Sequence, residues 1–295
     1  MRMYDLVWTL FLLAATGYGA VALLVTALQR RLIYMPDQRR ATPADFALKG
    51  VEVVSINAPD GAMLVAWYNP APTGGQTLLY FHGNRGYVHL RAERMADLQR
   101  RGFGVLMLSY RGFGGSTGAP SEVANVADGR LAYDWLRQRG VASGDIVVFG
   151  ESLGTAVATQ VAGAKVSAGL VLDSPYTSMT DIAQQRYPWL PVRYLLWDRY
   201  ETIRHIKRVT VPVLIIHGET DDLVPCDMGR AVHRAVLSHS QLHVFQGAGH
   251  LEHCLQGSLD IVERWCRNLA EPVAAGQRAS GDAQSSTATV AEPSR

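Results

Sequence analysis

A glycine-x-serine-x-glycine pentapeptide lies at Gly150–Gly154, near the middle of the 295-residue chain. It directly follows a short apolar run, Ile146–Phe149, that favours a buried β-strand, and small helix-compatible residues come after it. Where such a pentapeptide joins a strand to a helix, the tight turn lifts the serine hydroxyl clear of the sheet, and the glycines leave room for nearby backbone. We therefore predict that Ser152 is a nucleophile.

The same pattern occurs a second time, at Gly114–Gly118. This copy lies several residues beyond the nearest strand-like run, Val105–Tyr110, and Ala119-Pro120 follows it. Proline disfavours helical backbone at the residue before it, so the required strand, turn and helix are missing here. We predict that Ser116 is a structural loop residue.

A nucleophilic serine needs a base to remove its proton, and the base needs an acid to orient it. His250 follows the last strand-like run on a short glycine-rich loop and is the predicted base. Asp221 lies in the loop after the preceding strand-like run and is the predicted acid. Asp222, which is adjacent, and Asp173, which ends an earlier strand, remain alternatives.

Acyl transfer also needs donors for the negatively charged oxygen of the tetrahedral intermediate. The segment Phe81-His82-Gly83-Asn84 ends a strand-like run, as expected for the loop that supplies one of them. We predict that the oxyanion hole is formed by the amides of Leu153 and Asn84. The alternative for this segment is a glycine turn with His82 merely hydrogen-bonded beneath it.

Metal or cofactor chemistry is not indicated. His253, Glu252 and Cys254 lie close together in the sequence, but they do not form the H-E-x-x-H pattern of zinc helices. We predict no metal and no cofactor. The three cysteines, an odd number without C-x-x-C spacing, argue against a disulfide framework.

The elements that must position these residues alternate between strand and helix. A Pro-Asp-Gly turn joins two strand-like runs into a predicted hairpin, and a helix is predicted over Ser121–Gly140 with Val123, Ala127, Leu131 and Trp135 buried. This order predicts an α/β fold with a mostly parallel sheet and helices on both faces. The strand-like runs are Val51–Asn57, Ala62–Tyr68, Thr77–Phe81, Val105–Tyr110, Ile146–Phe149, Gly169–Leu172, Val213–Ile216 and Gln241–Phe245.

The chain begins with an uncharged, mostly apolar stretch, Leu6–Leu28, that is long enough to cross a bilayer as a helix. We predict that residues 1–30 form a single-pass membrane anchor, residues 31–270 one catalytic domain, and residues 271–295, which lack aromatic side chains, a disordered tail. A signal peptide cleaved near Ala20-Val21-Ala22 and a buried helix of a soluble domain are the alternatives.

The charges of the chain indicate whether it binds nucleic acid and on which side of the membrane its catalytic domain lies. The net charge is +2 and the isoelectric point is near 8.4, so binding to nucleic acid is not indicated. Arginines are more numerous after the apolar stretch than before it, which predicts a cytoplasmic catalytic domain. The sequence does not determine the oligomeric state.

A cap is predicted over about 175–211, between the strands that end at Asp173 and begin at Val213. It contains the apolar and aromatic run 189–197, bounded by Trp189 and Trp197, and several basic residues after it. These residues either pack on the core and form a solvated basic face, or they sit at the bilayer and admit an amphiphilic acyl substrate.

The chain from about Leu32 to Leu269 resembles the α/β-hydrolase superfamily, and within it the membrane-anchored, serine aminopeptidase-like branch related to protein depalmitoylases. Ser109 departs from that branch, which usually has aspartate there. The resemblance rests on the chain order Ser152, Asp221, His250 and on the segments Leu32–Pro36, His82–Asn84, Tyr110–Gly114 with Ser116 and Gly118, Gly150–Gly154, Asp173–Ser178, His217-Gly218 with Asp221, and Gly249-His250.

The resemblance implies an α/β-hydrolase fold with a short cap, and a Ser-His-Asp triad that cleaves an ester, thioester or related acyl bond through an acyl-enzyme. The expected partners are a small-molecule or lipid-like acyl substrate and the membrane. An acyltransferase or a peptidase using the same triad, and a non-catalytic membrane scaffold, remain alternatives.

Overall fold

The computed structural model describes residues 3–269, and the predicted tail at 271–295 lies outside them. Eight strands form one sheet: β1 (Glu52–Asn57), β2 (Met63–Asn69), β3 (Thr77–Phe81), β4 (Gly104–Leu108), β5 (Ile146–Glu151), β6 (Gly169–Asp173), β7 (Val213–Gly218) and β8 (Ser240–Phe245). Their spatial order is β8-β7-β6-β5-β3-β4-β2-β1. Only the β1–β2 and β2–β4 pairs are antiparallel, so the predicted mostly parallel eight-stranded sheet is confirmed.

The central strands are apolar because helices cover both of their faces. Every residue of β3, β4, β5, β6 and β7 is buried, whereas β1, at one edge, alternates between exposed and buried positions. The carboxyl ends of these parallel strands meet along one rim of the sheet. All the predicted site residues lie in the loops or at the helix start that follow β3, β5, β7 and β8, so the topology gathers these residues at that rim.

The helices are α1 (Met3–Ile33), α2 (Ala92–Arg100), α3 (Glu122–Gln138), α4 (Leu153–Ala162), α5 (Met179–Arg186), α6 (Val192–Leu195), α7 (Thr202–His205), α8 (Cys226–Ala235) and α9, which runs from 258 to the last described residue, 269. Short 3₁₀ turns link several of them. All three cysteines, Cys226, Cys254 and Cys266, are free.

The predicted apolar face of α3 is only partly right, because Leu131 and Trp135 pack against the core whereas Val123 and Ala127 are exposed. Ser121 caps the helix by accepting from the Ala124 amide at 3.1 Å, as expected, but Val123 is 80% exposed. The buried face instead contains Gly129, where an added Cβ would lie 3.0 Å from the Phe81 ring. Close approach to the sheet and to α4 therefore selected small residues here, and apolar spacing alone did not show this.

Three short helices, α5, α6 and α7, lie between β6 and β7 and form the cap. The carboxyl end of α1 docks on it. The Gln29 side chain donates to the Leu195 carbonyl at 3.0 Å and accepts from the Trp197 amide at 2.7 Å. Arg30 forms an ion pair with buried Asp198 at 3.0 Å. These contacts fix the end of α1 relative to the rim that carries the site.

Within residues 3–269, α1 is the one helix that is long and apolar enough to cross a membrane by length and composition. It has 31 residues, of which Gln29 and Ile33, near its carboxyl end, are buried. Beyond α1, Met35–Pro36 pairs in parallel with Arg85–Gly86. The end of the apolar helix is thereby joined to the loop that follows β3.

Candidate active site

Ser152 lies at the turn between β5 and α4, in strained backbone with φ 50° and ψ −117°. Positive φ is uncommon for a residue with a side chain, and tight surroundings hold it in place. A Cβ on Gly154 would collide with the Phe81 carbonyl group, and one on Gly150 would collide with the backbone of α4. The two glycines thus permit the close packing that sets the position of the serine.

The structure brings Ser152, His250 and Asp221 into one chain of hydrogen bonds. The Ser152 hydroxyl lies 3.1 Å from His250 Nε2, and His250 Nδ1 lies 2.7 Å from Asp221 Oδ2. Ser152 is 8% exposed and the His250 side chain is 16% exposed, so the pair is largely shielded but still reaches solvent. With the proton of the imidazole on Nδ1, Nε2 is free to accept the serine proton.

The Asp221 side chain is fully buried, and its carboxylate accepts several hydrogen bonds. Its Oδ1 accepts from the amides of Leu223 at 3.0 Å and Val224 at 2.8 Å. Burial raises the pKa of the Asp221 carboxyl, but hydrogen bonds from His217, His250 and the Val224 amide outweigh it and hold the pKa below its usual range. This carboxylate remains charged beside the imidazole at neutral pH.

The two alternative acids are placed elsewhere. Asp222 is exposed. Asp173 is buried, but its oxygens bind His253 Nε2 at 2.6 Å and Arg94 at 2.8 Å. Of the three aspartates, Asp221 is the one that contacts His250.

The two predicted oxyanion amides belong to the residue after the nucleophile and to the loop after β3. In the described part of the chain, no protein acceptor is hydrogen-bonded to the backbone amide of Leu153 or of Asn84. The Asn84 side chain donates to the Ile33 carbonyl at 3.0 Å, and its own carbonyl accepts from the Met35 amide at 2.9 Å. Asn84 is therefore held by the end of α1.

His82 lies beneath this loop rather than in the site. It is buried against the Tyr110 ring, with 4.4 Å between ring centroids, and its Nδ1 donates to the Gly83 carbonyl at 2.7 Å. Burial lowers the pKa of His82 to about 3, so the ring is neutral at physiological pH. These contacts of His82 support the loop that carries Asn84.

A buried ionic cluster beneath the elbow was missed by sequence reasoning. The Glu151 carboxylate forms ion pairs with Arg91 and Arg94 and accepts from the Tyr80 hydroxyl, while Arg94 also binds Asp173. Burial raises the pKa of Glu151, but the two arginines outweigh it and hold the pKa well below its usual range. A glutamate at the end of an apolar strand was the available signal, because a buried charge requires a partner.

Asp173, His253 and Cys254 place three possible metal-ligating atoms within 4.8 Å of one another. The chemistry of this group does not favour a cation, because the Arg94 guanidinium already binds both Asp173 and the Cys254 sulfur. A second positive charge there would be repelled.

The hydroxyl of Ser116 is used within the structure. It donates to the Ser109 carbonyl at 2.9 Å and accepts from the Val65 amide at 2.8 Å. Ser109 itself is completely buried. These bonds tie the loop after β4 to β2, as expected of a loop residue with a structural role.

Comparison with known proteins places this fold and geometry in a family. A family model described as alpha/beta hydrolase fold matches residues 76–201. The uncharacterized protein Rv2307c of Mycobacterium tuberculosis is 38% identical over 268 residues, which cover 90% of this chain and 94% of the relative. The alpha/beta hydrolase domain-containing protein WAV2 of Arabidopsis thaliana is 32% identical over 239 residues, which cover 71% and 77% of the two chains.

Among solved structures, the esterase Pf2001 of Pyrococcus furiosus is similar with a TM-score of 0.62. The similarity covers 81% of this chain and 96% of the esterase at 20% sequence identity, which shows a shared fold. Together with the order of the strands and the serine at the strand-to-helix turn, the relatives show that the chain belongs to the α/β-hydrolase family.

Proposed function

We propose that the protein is a serine hydrolase that cleaves an ester, thioester or related acyl bond through an acyl-enzyme. The supporting observation is the unbroken hydrogen-bonded chain from Asp221 through His250 to Ser152 at the elbow. Family membership alone does not carry this proposal, because one fold serves many functions.

In the proposed mechanism, His250 Nε2 takes the Ser152 proton as the serine oxygen attacks the carbonyl carbon of the substrate. Asp221 orients the imidazole and stabilises its charged form. The amides of Leu153 and Asn84 donate to the oxyanion of the tetrahedral intermediate. His250 then returns the proton to the leaving group, and water activated by the same base hydrolyses the acyl-enzyme.

A fluorophosphonate probe tests this proposal, because it reacts covalently with an activated serine. We expect the full chain to be labelled and Ser152→Ala to abolish labelling. Ser116→Ala, in the second glycine-x-serine-x-glycine segment, is the matched control and should still be labelled, with folding checked by circular dichroism. Undiminished labelling of Ser152→Ala would show that Ser152 is not the nucleophile.

We also propose that α1 is a retained single-pass anchor with the catalytic domain on the cytoplasmic side. The Tyr18 hydroxyl donates to the Trp189 carbonyl at 2.9 Å, so α1 contacts the cap well before its carboxyl end. Cleavage near Ala22 would remove that contact. Resistance to carbonate extraction, and protection of the domain from protease added to intact spheroplasts, are expected. Release of a shortened soluble protein would contradict the anchor, and digestion in spheroplasts would reverse the orientation.

A further inference from the structure

We propose that the acyl chain of the substrate binds in an apolar cavity between the carboxyl end of α1 and the cap, so that the apolar helix forms one wall of the substrate site. This inference rests on the proposed serine hydrolase activity and specifies its substrate class as esters or thioesters of long acyl chains. The acyl chain of the substrate would enter the cavity from the bilayer leaflet in which the carboxyl end of α1 lies.

The cavity has a volume of about 290 Å³. This is close to the lower limit for ligand sites, about 300 Å³, and suits a narrow ligand better than a bulky one. Val25, Leu32 and Ile33 of α1 and Met35, just after it, line one side. A helix expected to do no more than anchor the protein therefore contributes directly to a binding site.

The cap supplies the opposite side of the cavity. Ile182 of α5, Leu190, and Leu195 and Leu196 at the end of α6 face the α1 residues across it. An apolar lining of this kind favours a hydrocarbon chain, because each buried methylene group loses contact with water. The polar members of the lining are Arg186, Tyr187 and Asn84, and the other lining residues are apolar.

Two residues of the cavity lining are neighbours of the proposed catalytic groups. Asn84, whose backbone amide is the proposed oxyanion donor, and Leu223, whose amide binds Asp221 at 3.0 Å, both belong to its lining. Ser152 and His250 are not in the lining, so we infer from Asn84 and Leu223 that the carbonyl end of the acyl chain lies at their end of the cavity.

The exposed side of α1 indicates how the acyl chain reaches the cavity. Leu23 and Leu24, which precede the cavity residue Val25, are 73% and 58% exposed and would contact lipid if α1 spans the bilayer. Lipid-facing and cavity-facing side chains therefore alternate on one helix. An acyl chain can pass from the leaflet to the cavity along an apolar surface without entering water.

The test uses the full chain reconstituted in phosphatidylcholine vesicles and a series of p-nitrophenyl esters from acetyl to dodecanoyl. In the wild type we expect kcat/KM to rise by up to about fourfold for each added methylene until the cavity is full. Val25→Trp, which fills the cavity from α1, should lower the ratio of dodecanoyl to acetyl kcat/KM at least tenfold. Leu24→Trp is the matched control, with the same substitution one residue away on an exposed position, and should keep the wild-type ratio.

Ala183→Phe fills the cavity from α5 and should lower the same ratio, which keeps the test decisive if Val25→Trp does not fold. Hydrolysis through Ser152 with a dodecanoyl-to-acetyl ratio that neither filling variant changes would overturn the acyl site and leave the proposed function intact. Undiminished hydrolysis of every ester by Ser152→Ala would instead overturn the proposed function. The two failures are therefore distinguishable.

Discussion

The two sides of the candidate site are built in different ways. The elbow side consists of β3, β5 and α4, whose packing is so close that neither glycine of the pentapeptide could carry a side chain. The cap side consists of short helices, two of them only four residues long, and leaves Tyr194 80% and Trp197 58% exposed. We infer that the core fixes the reacting groups, whereas the cap and α1 are free to vary with the substrate.

The largest expected effect lies on the rigid side. Asp221→Asn should reduce kcat for a p-nitrophenyl ester by about 10⁴-fold, because an amide in place of the carboxylate favours the wrong tautomer of the base. Asp222→Asn is the matched control and should change kcat by less than about twofold, since Asp222 is exposed and sits outside the hydrogen-bonded chain. Equal small losses in the two variants would remove Asp221 from the triad.

Glu151→Gln should lower the free energy of unfolding by about 3–5 kcal/mol at neutral pH, because it leaves the largely buried Arg91 without its anionic partner, while Arg94 keeps only Asp173. Denaturant unfolding of the detergent-solubilised chain measures this. Glu93→Gln, at an exposed position between the two arginines in the sequence, is the control and should be nearly neutral. A loss equal to that of the control would show that the ionic cluster does not stabilise the elbow.

The effect of Glu151→Gln should also depend on pH. The pKa of Glu151 is lower in the folded chain than in the unfolded chain, so its carboxylate stabilises the fold fully above the unfolded pKa, about 4.3. That stabilisation is lost as the pH falls through the folded value. The difference between wild type and variant should therefore be largest at neutral pH and shrink below about pH 4; a constant difference would exclude an ionised Glu151.

The smallest expected effect lies on the cap side. Trp189→Ala removes an edge-to-face contact with Tyr18, whose ring centroid is 6.4 Å away, and should cost about 0.5–1 kcal/mol of stability. Hydrolysis of acetyl esters should be unaffected, because Trp189 is 54% exposed and does not line the cavity. Tyr194→Ala, at an 80% exposed position of the cap, is the control for removing an exposed aromatic side chain from the cap. A large loss of acetyl ester hydrolysis in Trp189→Ala would show that the cap is coupled to the triad more tightly than its packing indicates.

The sequence predicted the sheet and the loops on which Ser152, Asp221 and His250 lie, because apolar runs, glycines and chain order are local signals. It did not predict that Glu151 would be paired with Arg91 and Arg94, since those partners lie far from Glu151 in the sequence. It emphasised Trp189 and Trp197 in the cap, whereas the cavity is lined by smaller apolar residues and by α1. Which apolar residues face a cavity depends on how separate elements pack, and periodicity within one element does not contain that information.

The hydrogen bonds between Asn84 and the end of α1 have a practical consequence for producing this protein in soluble form. A recombinant version that starts after Met35 would lack both the Ile33 carbonyl that holds the Asn84 side chain and the Met35 amide that binds its carbonyl. We expect deletion of the helix to slow turnover by loosening the proposed oxyanion donor, even if the truncated domain still folds. A start point near Val25 would retain these bonds and the inner wall of the cavity while removing most of the apolar helix.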